Sequence, residues 1–186
     1  MDLLSLESFS WETGRLRLRP MSEGDEALFH ALYTDPETMR FIGTPLSDEQ
    51  ATCRFHNILG DMHRRPFRCL FLAILDKASQ LPLGICGVPQ FDADAVWQEV
   101  GLVLTRQARS RGIAREGLAA LVDRIFVASS VLEVCAQFST ANRTARQLVV
   151  AVGFNPCDEV APSSSKQRWS IHRSSWRGVQ SNQQQG

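Results

Sequence analysis

Residues Ala108 to Gly117 read ARSRGIAREG and set Arg109, Arg111 and Arg115 around Gly112, where the apolar run Val96 to Thr105 (VWQEVGLVLT) gives way to an amphipathic segment. A chain that leaves a strand and starts a helix exposes backbone N–H groups without intrahelical partners, and the helix dipole adds partial positive charge there. Such a turn can seat an anion. Gly112 lets the backbone approach closely, Ala114 keeps the first turn small, and the arginines neutralise further phosphate charge. The same residues also suit a solvated, arginine-rich helix start, and taken alone the stretch leaves both readings open. It is neither a Walker loop, which needs Lys and Ser/Thr after the glycine, nor G-x-G-x-x-G.

Working outward, Val96 to Thr105 predicts a strand with Glu99 and Gly101 in its middle, and a glycine there suggests a bulge or the close approach of a backbone or ligand. On the other side, Ala114, Leu118, Leu121, Val122 and Ile125 form one stripe of a helix over about Gly112 to Ala128. VLEVCAQF (Val131 to Phe138) reads as a strand, and NRTARQLVVAVGF (Asn142 to Phe154) as a helix with Gly153 as its C-cap. QRWSIHR (Gln167 to Arg173) predicts a last strand, and the polar residues 173–186 a frayed tail after a single domain, 1–172.

Towards the N-terminus, RLRLRP (Arg15 to Pro20) alternates like a half-buried strand with its arginines in water. Ser22 with Asp25, and Ser47 with Gln50, have capping-box spacing ahead of amphipathic segments, and Asp35-Pro36 stops one helix and can start another. Cys69 to Asp76 and Leu81 to Asp92 read as a hairpin of buried strands, preceded by the basic turn HRRPFR (His63 to Arg68). The order predicts a mixed α/β or α+β domain around one sheet.

The chain has 186 residues, 44% hydrophobic and 22% charged, with formal net charge zero, so no global bias towards nucleic acid or an anionic membrane arises and any anion site is local. Five scattered cysteines without a C-x-x-C suggest neither a disulfide framework nor a zinc site, and read as buried free thiols in a reducing cytosol. No secretory signal or membrane-spanning run is apparent, which predicts a cytoplasmic protein.

With that context, R-x-x-G-x-A at Arg109, Gly112 and Ala114 resembles the pyrophosphate-binding motif of the GNAT superfamily of acyl-CoA N-acyltransferases. TGRLRLRPMSEGDEALFHALYTDPETMRFIG is similar to the opening of the branch containing the ribosomal-protein N-terminal acetyltransferases, EVGLVL to its fourth strand and NRTARQLVVAVGF to its late helix, together spanning about residues 13–155. The resemblance implies a central, mostly antiparallel sheet of about six to seven strands, splayed between the fourth and fifth and flanked by about four helices. It implies acetyl-CoA as cofactor. Leu102, Val103 and Leu104 would present backbone to the pantetheine arm; Arg109, Ser110, Arg111, Gly112, Ile113, Ala114 and Arg115 would seat the pyrophosphate; Asn142 would contact the cofactor near the reacting end, and Arg146 its nucleotide phosphate.

The implied reaction is attack of an amine on the thioester, with Glu99 as candidate base; a solvated or ion-paired strand residue is the equal alternative. A backbone N–H near Gly101 to Val103 could serve the oxyanion. Relatives often place a serine three residues after the asparagine, or use a tyrosine, as general acid; here that position is Ala145 and the one tyrosine is Tyr33. Ser110 stands where relatives often have a glycine. The acceptor reading is a protein or peptide N-terminus, or a small-molecule amine, in a cleft formed by about Phe29 to Phe55 and the loops holding His56, His63 and Phe91. A non-catalytic acyl-CoA sensor and an RNA- or ribosome-associated module are the alternatives. Metal, membrane and nucleic acid are not expected, and the protein is read as a monomer or homodimer.

Overall fold

Trp11–Glu12 (β1) and Leu16–Pro20 (β2) pair antiparallel, and the alternation in RLRLRP sends Leu16 and Leu18 into the core. The computed structural model describes residues 5–157 and 165–178. Arg17 faces water as expected, but Arg19 is half-buried because its guanidinium holds buried Asp25 with two hydrogen bonds of 2.7 and 2.8 Å. Burial pushes the Asp25 carboxyl up, and the hydrogen bonds from Arg19 and Ser22 outweigh it, so its pKa lies below the ordinary carboxylate value. A depressed pKa contributes stability above the unfolded value of about 3.9, and that stability is lost as pH falls through the folded value. We expect an acid limb in the stability profile that Asp25→Asn flattens, read by thermal melts across pH 2–6; an unchanged limb would remove Asp25 from the cause.

Ser22 and Asp25 form the expected capping box on a 3-10 turn that continues as α1 (Glu26–Tyr33). Asp35 caps the short α2 (Pro36–Met39), and Ser47 with Gln50 boxes the start of α3 (Asp48–Met62). β3 (Leu70–Asp76) and β4 (Pro82–Val88) make the expected hairpin.

The run VWQEVGLVLT is two strands, not one: β5 (Trp97–Glu99) and β6 (Gly101–Leu104). The rest of the chain adds α4 (Ile113–Ala128), β7 (Glu133–Ser139), α5 (Arg143–Val152), β8 (Asn155–Pro156) and β9 (Lys166–His172). The strands form two sheets, ordered β1-β2-β3-β4-β6 and β5-β7-β9-β8, so the one sheet read from the element order divides where β5 becomes β6. Of these ladders only β5–β7 is parallel. The helices number five among the described residues, against about four expected.

Helix α4 lies against one face of the first sheet, close enough that a Cβ on Gly117 would meet Ile74 at 3.4 Å, Leu102 at 3.5 Å and Leu16 at 3.8 Å. Helices α1 and α3 pack on each other and on β4 and β3. They take the opposite face, because Arg19, which alternates with Leu18, points to Asp25 just ahead of α1.

The chain does not fray at residue 173. Arg173 donates to the carbonyls of Val131 and Ser129 at 2.7 Å each and to that of Phe126, with its guanidinium over the Phe126 ring, and Trp176 donates to Asp123 at 3.0 Å. Residues 179–186 of the expected tail lie outside the described residues. Arg173 serves the carbonyls at and beyond the end of α4, which otherwise lack donors. Replacing it with Met should cost about 2–3 kcal/mol, on the scale of lost charged hydrogen bonds, read as a lower denaturant midpoint at unchanged m; a loss below about 0.5 kcal/mol would contradict this role.

Candidate active site

The division between β5 and β6 makes the site. Glu99 pairs with Cys135 on β7, and the Val100 N–H still reaches the Cys135 carbonyl at 2.8 Å. From Gly101 the strand pairs instead with Gly87 on β4, and no ladder joins β6 to β7. The two strands therefore part after Val100, at the splay the family resemblance implies. Backbone direction along β6 follows from both ends: Val100 donates towards β7 and Thr105 donates to Leu83 beside β4, at 2.9 Å. Peptide groups alternate sides along a strand. Leu102 and Leu104 therefore turn N–H and C=O into the gap, and Gly101 and Val103 turn theirs to β4. Leu104's carbonyl is taken by the Arg109 guanidinium at 3.4 Å, which leaves the Leu102 peptide open to the gap.

Beyond β6 the chain enters the ARSRGIAREG turn. Ser110 and Gly112 both lie in the left-handed region, with φ of 60° and 75°. Serine at position 110 thus adopts the conformation for which relatives use glycine, at a local cost of about 1–2 kcal/mol. The result is a run of six N–H groups, Ser110 to Arg115, with no acceptor among the described residues. Successive N–H groups around left-handed residues make a concave anion seat. The turn is anchored from below by Arg15, which donates to the Arg111 carbonyl at 2.9 Å and to Glu116 at 2.7 Å, while Thr13 donates to the other Glu116 oxygen. Burial raises Glu116, and the bonds from Thr13 and Arg15 bring its pKa below the ordinary value, so it stays ionised.

The arginines divide in two. Arg111 and Arg115 are exposed and make no side-chain hydrogen bond or ion pair among the described residues, although Arg111 acts on the Asp76 carboxylate through space. Arg109 points away from the turn to α2, where it donates to Thr38 Oγ1 at 2.7 Å and pairs with Glu37 at 3.6 Å. Arg106, which sequence reading missed, bonds Asp35 at 2.8 Å and Glu37 at 2.9 Å. Arg106 and Thr38 hold the Asp35 carboxyl well below the usual range. Both partnerships bridge about seventy residues of chain, beyond any local pattern.

Across the gap, Asn142 caps α5, its Oδ1 accepting from the Ala145 N–H at 3.0 Å, which leaves its amide donors without a partner among the described residues. Arg146 lies with its guanidinium 5.9 Å from the Trp169 ring centroid. Glu99 is half-buried and makes no hydrogen bond or ion pair among the described residues, so it is not an ion-paired strand residue. Gln98, Val100 and Leu102 alternate towards the core, so Trp97, Glu99 and Val103 face the α1/α3 side. Tyr33 is stacked on Phe29 at 4.2 Å, and burial raises its pKa.

Of the expected acceptor-cleft residues, Phe29, Phe55 and Phe91 are buried core, and the Nδ1 atoms of His56 and His63 sit on carbonyls of their own helix. All five cysteines are free, but Cys53 is exposed and Cys157 only half-buried rather than buried. Among the described residues no cluster of His, Cys, Asp and Glu suits a metal, and no helix is long and apolar enough to cross a membrane.

The family model for the acetyltransferase (GNAT) domain matches residues 15–155. The chain belongs to the GNAT acetyltransferase family. It is 24% identical over 143 residues to N-acetyltransferase p20 of Bacillus licheniformis, covering 76% of this chain and 80% of the relative. The GNAT fold is shared with spermidine N-acetyltransferase from Vibrio cholerae, solved with CoA and spermine, at TM-score 0.76 and 16% identity over 87% of this chain and 97% of that one. It is shared equally with ribosomal-protein-S5-alanine acetyltransferase from Vibrio fischeri, at TM-score 0.73 and 15% identity over 90% and 98%. At such identities these neighbours establish the fold of this GNAT domain and leave its acceptor open.

Proposed function

We propose that this GNAT domain binds acetyl-CoA across the gap between β6 and β7 and transfers the acetyl group to a primary amine, foremost the α-amine of a peptide or protein. The observation that carries this is the run of unpartnered N–H groups from Ser110 to Arg115 at the mouth of a gap whose wall offers the open Leu102 peptide. The donors fit a pyrophosphate, Arg111 and Arg115 add charge, and the Leu102 carbonyl fits an amide N–H of the arm. Bound there, acetyl-CoA supplies the acyl group as a thioester open to a neutral amine.

The chain's residues then do three things. They hold amine and carbonyl together, which supplies several kcal/mol. The Leu102 N–H meets the charge developing on the carbonyl oxygen. Glu99, without a competing partner, accepts the proton leaving the amine, directly or through water. Neither usual acid protonates the departing thiolate, because position 145 is alanine and Tyr33 is half-buried in the Phe29 stack, so the proton comes from water or a neighbouring hydroxyl such as Ser139 or Thr144. A thiol pKa of about 8.5 makes that omission cost only about 2 kcal/mol at pH 7. An α-amine, with a pKa near about 8 against about 10.4 for lysine, asks least of a site with one base. The five free thiols fit a reducing cytoplasm.

The missing acid favours a second reading, an acyl-CoA sensor that binds without turnover. Acceptor-dependent thiol release from acetyl-CoA separates the two, and Glu99→Gln then tests the base. A transferase loses about 10²–10³ in kcat with CoA affinity unchanged; a kcat within about threefold of the parent would remove Glu99 as the base.

A further inference from the structure

The face carrying Glu99 also carries a cation that has no carboxylate partner among the described residues. Arg168 on β9 pairs with Gln137 on β7 in the same register that places Trp97 opposite Glu133 and Glu99 opposite Cys135, so these side chains share one face. The Arg168 guanidinium crosses β7, passes the Cys135 thiol, and lies 4.5 Å from the centroid of the Trp97 ring, which is 46% exposed. Among the described residues its Nε is buried without an acceptor and no carboxylate forms an ion pair with it; the guanidinium has the weakly accepting Cys135 thiol beside it, and Glu133 acts on it only through space. A buried charged donor without an acceptor is unfavourable, and an incoming acceptor relieves it. Stacking on an indole holds the planar group in one orientation, and its fork of donors matches a carboxylate.

We propose that Arg168, held on Trp97, reads a carboxylate on the acceptor, so that the preferred substrate is a peptide with an acidic group close behind its free N-terminus. The spacing fixes the position. Trp97 stands two residues from Glu99 on one strand, about 6–7 Å, so an amine at Glu99 places the carboxylate on the second or third residue rather than on the amino acid bearing the amine. The same guanidinium opposes a polycationic acceptor. This inference rests on the peptide reading of the acceptor and makes its own prediction about charge.

The test is calorimetric binding of tripeptides with free N-termini and amidated C-termini, identical except for Glu, Gln or Lys in the middle, to the protein saturated with CoA. The unamidated Gln peptide separates a side-chain carboxylate from a terminal one. The expected result is Glu tighter than Gln by about 10- to 100-fold, the range of a charged hydrogen bond, with Lys weakest. In Arg168→Gln the preference disappears while CoA affinity stays; in Arg168→Lys part of it returns. Equal binding of the three peptides, no peptide binding, or a preference that survives Arg168→Gln would overturn the proposal. Charge-selective binding without turnover would instead overturn the transferase reading and leave this one standing.

Discussion

Gly112→Val should weaken CoA binding by about 100-fold while leaving the protein folded, because two N–H bonds to phosphate at about 1.5 kcal/mol each amount to that factor. Gly112 sits at φ 75°, and a Cβ there would lie 3.3 Å from the Arg15 guanidinium. A β-branched residue in the left-handed region is strained by about 1–3 kcal/mol, and relief comes by rotating the peptide towards ordinary φ. That rotation re-aims the N–H groups that follow, which are those left without acceptors in the structure. The position is exposed, so the melting temperature should move by less than about 4 °C. Gly112→Asn should keep more affinity than Gly112→Val, since asparagine tolerates this conformation better. Calorimetric titration with CoA decides it; wild-type affinity in the valine variant would show that the turn is only a helix start.

The largest effect on stability is expected one strand away. A Cβ on Gly84 would stand 2.3 Å from the Val103 carbonyl and 3.0 Å from the Leu104 Cα, and one on Gly87 would stand 2.2 Å from the Leu70 carbonyl. The obstacles are backbone atoms of β6 and β3, the strands on either side of β4, so neither can move without opening a ladder. Gly84→Ala should cost about 3–5 kcal/mol and lower the melting temperature by roughly 10 °C. Gly101→Ala, with nothing within 4 Å of the added atom, should change stability little. Melts of the pair test this directly; equal stabilities would mean that β4 yields where the structure holds it fixed.

These glycines show where the sequence could be read and where it could not. Gly101 draws attention because it interrupts an apolar run, yet the tight approaches are at Gly84 and Gly87, which sit inside a hairpin strand and give no such signal. Local chemistry was legible: both capping boxes, the Asp35-Pro36 start and the Gly153 stop depend on residues three or four apart. The turn from Ser110 to Arg115 was legible for the same reason, since a strand, a glycine and a helix start are consecutive. The division of VWQEVGLVLT was not, because its alternation continues through Val100 and only the choice of partner strand changes. The Arg109–Thr38 and Arg106–Asp35 bonds were equally hidden, and they turn an arginine expected at phosphate into a tie to α2. Arg168 was invisible for a third reason. It lies in a recognisable strand, but its meaning depends on Trp97 across two neighbours in the sheet.

The account stands most directly on thiol release from acetyl-CoA by the purified protein, measured with one peptide carrying either a free or an acetyl-blocked N-terminus. Release that requires the free amine and saturates with peptide is the predicted result. Release no faster than hydrolysis with every amine offered, or equal release from the blocked peptide, would contradict it.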